Sequence, residues 1–189
     1  MNRTYIFLIF TLCFVFSSNA SAQRYLSGMR GLQITAGSVN GLKPQSGFDF
    51  GIAFSRHAGQ SGRWVYGIEY FEKRHRYEEM YIPQSRIIAD AGYYQKFLSD
   101  TGKTFFASVG ASAAAGYEII NRGDKLLPDG ATINNGDAFL YGAAISLELE
   151  TYLTDRLVLL INVRECFLTG SSIGKFNTPV GIGIKFILN

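Results

Sequence analysis

Residues 139–164 read FLYGAAISLELETYLTDRLVLLINVR. Phe139, Tyr141, Ala143, Ile145, Leu147 and Leu149 occupy alternate positions, with Gly142, Ala144, Ser146, Glu148 and Glu150 between them. A period of two puts one set on each face of a strand. After a short link at Thr154-Asp155 the alternation resumes. Leu157, Leu159, Ile161 and Val163 stand against Val158, Leu160, Asn162 and Arg164. Two strands of this length with so short a link make an antiparallel hairpin. One of its faces is apolar throughout and must meet either a protein core or lipid.

Working outward, the same alternation recurs. Leu32, Ile34 and Ala36 form one segment, and Phe48 to Ser55 a second. Trp64, Tyr66, Ile68 and Tyr70 form a third, running on into the charged stretch Glu72 to Glu79, and Pro83 is read as interrupting the chain before a fourth from Arg86 to Phe97. A fifth runs from Lys103 to about Glu118, where Gly110 and Gly116 argue against a helix. The hairpin supplies the sixth and seventh, and Val180 to Leu188 the eighth.

The count is even, and links after the first, third, fifth and seventh segments are longer than the others. The expectation is an all-β, eight-stranded antiparallel up-and-down β-barrel of outer-membrane type, with short turns and both chain ends on the periplasmic side. Aromatics near segment ends suit the two interfacial girdles. Trp64, Phe97, Phe105, Tyr152 and Phe186 fall at one rim, and Phe48, Tyr77, Tyr117, Phe139 and Phe167 at the other. A soluble lipocalin-like barrel, with its apolar face inward, is the alternative. Val158 and Leu160 sit on the face assigned to the lumen, against the pattern. The longest link, Asn121 to Asp137, is expected at the cell surface or against a partner.

Composition agrees with strands in a nonpolar setting. Of 189 residues 21 are glycine, 14% are aromatic and only 17% charged. Residues 1–22 carry Arg3, an apolar run from Tyr5 to Phe16 and an Ala20-Ser21-Ala22 cleavage pattern. They read as a secretory signal peptide, leaving residues 23–189 as a single barrel domain exported to the outer membrane. With Arg3 removed, 17 basic and 15 acidic residues remain, a net +2. That is no nucleic-acid footprint. Cys13 leaves too, so Cys166 is alone, without an intrachain disulfide or a multi-cysteine metal site.

The polar face carries Glu69, Asp90, Glu148, Arg164 and Lys185. Facing lipid, a basic side chain near the midplane would cost roughly 2–4 kcal/mol. Facing inward, these residues form a structural charge network in a lumen that eight strands leave just wide enough to fill. Glu148 and Arg164, about one diagonal apart on adjacent strands, are the expected pair. Of the histidines, His57 lies beside a turn and His75 in a charged strand extension. No GxSxG, HExxH or phosphate-cradling glycine loop is present. Catalytic, cofactor-binding and metal residues are therefore expected to be none.

Four stretches resemble a known family: GLQITAG at 31–37, GYEIINRG at 116–123, FLYGA at 139–143 and ETYLTDR at 150–156. From Gly31 to its end the chain is similar to the TraO conjugal transfer proteins of Bacteroides-type conjugative transposons. The resemblance implies a non-enzymatic outer-membrane component of a DNA-transfer apparatus, in contact with membrane lipid and other apparatus proteins. It brings no cofactor, no small-molecule substrate and no direct nucleic-acid contact. The competing functions are a small barrel for adhesion or envelope integrity, and a membrane-embedded lipid or peptide hydrolase using His75.

Overall fold

A computed structural model describes residues 26–39, 47–77, 80–125, 132, 136–171 and 174–188. The signal-peptide reading of residues 1–22 and most of the link Asn121 to Asp137 lie outside these. The strands are β1 (Arg30–Ser38), β2 (Gly47–Ala58), β3 (Gly62–Tyr77), β4 (Met80–Ser99), β5 (Phe105–Ile120), β6 (Ala138–Tyr152), β7 (Leu157–Thr169), β8 (Phe176–Asn177) and β9 (Val180–Leu188). Each is antiparallel to its neighbours in the sheet, and β1 pairs with both β2 and β9, so the sheet closes on itself.

Eight staves make the ring, because β8 and β9 share one. Both pair with β7, β8 at Cys166 and Phe167 and β9 from Leu157 to Val163. Thr178 and Pro179 separate them. Proline has no N–H to give the ladder, but its carbonyl still accepts from the Arg164 N–H at 3.0 Å. The stave is broken in hydrogen bonding and not in direction.

The hairpin that set the reading is in place, with β6 and β7 in register from Tyr141↔Thr169 to Tyr152↔Val158. The expected interruption at Pro83 is not. β3 and β4 run as one long hairpin past it, and Arg74 is paired with Pro83. The link after the third strand, expected among the longer ones, is therefore only two residues, because the charged stretch before Pro83 extends the two strands instead of forming a loop. The ladder between β4 and β5 starts only at Gln84↔Ile120. Pro83 thus lies where β4 has a neighbour on one side alone, a position a strand tolerates without the N–H.

The outer wall is apolar and exposed: Phe50, Ile52 and Phe54 on β2, Tyr66 and Ile68 on β3, Ile145 and Leu147 on β6, Ile182 and Ile184 on β9. Trp64, Phe97, Phe186, Phe48, Tyr77, Tyr117, Phe139 and Phe167 are exposed near strand ends. Phe105 is half-buried. Tyr152 does not belong with them. Its parity matches Glu148 and Glu150, so it turns inward, is 5% exposed and meets Phe106 edge-on at 5.5 Å.

That inward turn also accounts for Val158 and Leu160. With Phe106, Tyr152 and Ile187 they form an apolar cluster inside the half of the barrel that holds the short turns, and Met29 packs against it. A second cluster, including Phe71, Ile88, Leu140 and Leu168, lies in the other half. The interior is layered rather than uniformly polar.

Candidate functional site

Strand parity builds the interior. Each charged side chain below stands on the alternate positions that face away from the apolar wall, and the closed ring brings together residues far apart in the chain. They fall into three groups along the barrel.

Nearest the short turns are Arg63, Glu148, Glu150 and Lys185. Arg63 donates to Glu148, lies 3.3 Å from Glu150 and donates to Ser108 Oγ at 3.4 Å. Its guanidinium stands 5.1 Å from the Tyr94 ring centre. Lys185 donates to Glu150 and lies 3.8 Å from Glu148. Two cations face two carboxylates, all buried. Buried ions are tolerated when paired and hydrogen-bonded in this way.

The middle group is centred on Arg164. Nη1 donates to Glu69 Oε1 at 2.5 Å, and Nη2 lies 3.1 Å from Asp90 Oδ2 and donates to Ser112 Oγ at 3.0 Å. The third group is nearest the long links. Glu118 Oε2 accepts from Arg86 Nε at 2.7 Å, Gln84 Nε2 at 2.7 Å and Ser171 Oγ at 2.9 Å. Arg86 Nη2 also reaches Ser171 Oγ at 2.9 Å and the Gly174 carbonyl at 3.3 Å, which ties the segment after β7 to β4 and β5. His75 Nε2 donates to Gln84 Oε1 at 2.9 Å.

Of the residues picked out from the sequence, Glu69, Asp90, Glu148, Arg164 and Lys185 all point inward, but they divide between two groups. Arg164 is in register with Ser146 and Glu148 with Asn162, so the diagonal placement exists. The diagonal ion pair does not. In a ring of eight staves β7 stands opposite β3, and Arg164 reaches across to Glu69 there and to Asp90 on β4. Glu148 is occupied by Arg63 and Lys185. Arg63, Glu150, Arg86 and Glu118 were missed. Their signal was available, since each has the parity of the polar face, but Arg63, Arg86 and Glu118 lay at or beyond the ends assigned to their segments. Among the described residues no three of His, Cys, Asp and Glu converge as a metal site.

Apolar clusters occupy both halves of the barrel, and charged side chains cross between its walls. Purified protein inserted in a planar bilayer is expected to give no stepwise ion conductance. Regular ohmic steps from the folded, heat-modifiable form would refute the sealed lumen.

Solved structures of similar form are outer-membrane barrels. Neisserial surface protein A is 13% identical with a TM-score of 0.56, over 85% of this chain and 97% of that one. The N-terminal β-barrel domain of Pseudomonas aeruginosa OprF is 12% identical with a TM-score of 0.51, over 86% and 98%. Ail, the attachment invasion locus protein of Yersinia pestis, solved with the heparin analogue sucrose octasulfate, is 8% identical with a TM-score of 0.53, over 86% and 99%. At these identities the likeness is one of fold. No curated protein sequence matches the chain. A family model described as conjugative transposon protein TraO matches residues 26–188.

Proposed function

Because the chain belongs to the TraO family of conjugative transposon proteins, we propose that it is a non-enzymatic outer-membrane part of the apparatus that carries such an element from cell to cell. The family match spans the whole described barrel, and that observation carries the reading. The exposed apolar wall and the outer-membrane barrel fold support the placement in lipid. The rim with the links at 59–61, 100–104 and 153–156, the start of β1 and the end of β9 then faces the periplasm, and the rim with the tip of the β3–β4 hairpin faces outward. The lumen charges hold the wall rigid, and other apparatus proteins dock on the surfaces outside the lipid.

In-frame deletion of the gene in a donor strain is expected to reduce transfer of the element to background, with growth unchanged and recovery on complementation. Transfer that persists after deletion would select the adhesion or envelope-integrity reading. The hydrolase reading turns on His75, whose Nε2 is committed to Gln84 in this structure. His75→Ala is expected to leave transfer unchanged. A folded His75→Ala protein that no longer supports transfer would favour the hydrolase.

A further inference from the structure

Every buried cation of the lumen meets a carboxylate: Arg63, Arg86, Arg164 and Lys185 each do. Two arginines on the outer wall contrast with them. Arg30 on β1 and Arg56 on β2 are partners in the ladder, both exposed on the lipid-facing side, and neither has an ion pair among the described residues. Like charges directly opposite each other on an antiparallel pair repel. Among the described residues no carboxylate pairs with either to offset that repulsion.

Their surroundings indicate what could. The row continues from Arg56 to Trp64 and then to Tyr93, whose rings pack edge-on at 5.2 Å. This is the level of the aromatic girdle at the short-turn end. One row deeper the same face carries Phe186, Leu32, Phe54 and Tyr66, side by side and exposed. Two guanidinium groups at the interface, set above an apolar strip, match a molecule with an anionic head and hydrocarbon tails. Guanidinium groups bind phosphate oxygens through paired N–H donors. We propose that Arg30 and Arg56 form a seat for the phosphate group of an anionic phospholipid in the periplasmic leaflet, with its acyl chains over Leu32 and Phe54. This rests on the outer-membrane placement above.

The test uses full-length protein purified in non-ionic detergent and titrated with phosphatidylglycerol, bound lipid being counted by native mass spectrometry. Diacylglycerol serves as the uncharged counterpart and inorganic phosphate as the tail-less one. Wild type is expected to retain phosphatidylglycerol in preference to diacylglycerol. The double variant R30Q/R56Q should lose about tenfold in that affinity, or ~1.4 kcal/mol, while still migrating as a folded, heat-modifiable barrel. Without lipid, the double variant should be at least as resistant to urea as wild type, because the repulsion is gone. R156Q, at an exposed arginine of the same end, should change nothing. Equal retention by R30Q/R56Q would overturn the seat, as would an equal loss in R156Q. Full displacement of the lipid by inorganic phosphate would overturn the lipid as its occupant. Protein recovered wholly from the soluble periplasmic fraction would instead overturn the membrane placement.

Discussion

Arg164→Leu is expected to destabilise the barrel by about 3–5 kcal/mol, the usual cost of removing one partner of a buried pair. Arg164 is 4% exposed and holds Glu69 and Asp90 on facing staves. Without it two carboxylates remain in the lumen with no cation between them, and Ser112 loses a donor. Combining Arg164→Leu with Glu69→Gln should recover part of the loss, since one stranded charge is then gone. Combining it with Glu148→Leu should not. Glu148 and Arg164 share no partner, and their effects should add to within ~0.5 kcal/mol. Urea unfolding in detergent or lipid measures all three. A single-variant loss below ~1 kcal/mol, typical of an exposed pair, would show that water reaches the middle group.

Gly37→Val is expected to cost about 3 kcal/mol, at the upper end for an overpacked site, and to deplete the compact form seen on unheated gels. A Cβ on Gly37 would stand 2.5 Å from the Val180 carbonyl oxygen, 2.7 Å from Gly181 Cα and 2.7 Å from Asp49 Oδ1. Two of these are backbone atoms of β9, which cannot swing aside as a side chain could. The clash falls on the seam where the first and last strands meet, Gly37 being in register with Gly181. Ala36→Val, one residue earlier and exposed on the outer wall, should stay within ~0.5 kcal/mol of wild type. Gly37→Val protein with wild-type gel mobility and urea midpoint would mean that the seam yields.

Alternation carried most of the fold because a closed barrel wall with an exposed apolar outside and a filled lumen enforces it at nearly every residue. The hairpin from Phe139 to Arg164 and the inward side of Glu69, Asp90, Glu148, Arg164 and Lys185 follow from parity alone. What parity does not encode is which wall a side chain crosses to. Arg164 finds Glu69 because β7 and β3 are opposite in the ring, a relation set by strand count and closure. Proline misled at Pro83, where the strand continues because its ladder is one-sided. The last segment, read from Val180, belongs to a stave that begins earlier, at Phe176, with Pro179 between its two parts. The apolar cluster around Val158 and Leu160 broke the expected pattern because a sealed barrel needs packing as well as charge pairing inside it.

The seam between β1 and β9 also bears on how the chain reaches this form. Arg30 pairs with Leu188, so the final contacts join segments separated by nearly the entire described chain. Every other main ladder links consecutive segments and can form locally. Ring closure cannot precede synthesis of the last strand, and structures dominated by distant pairings assemble slowly. Until then β1 and β9 each present a bare edge that is a template for mispairing. An assembly intermediate with seven ladders formed and the eighth open is therefore the species most exposed to aggregation, and the one a membrane-insertion chaperone would have to hold.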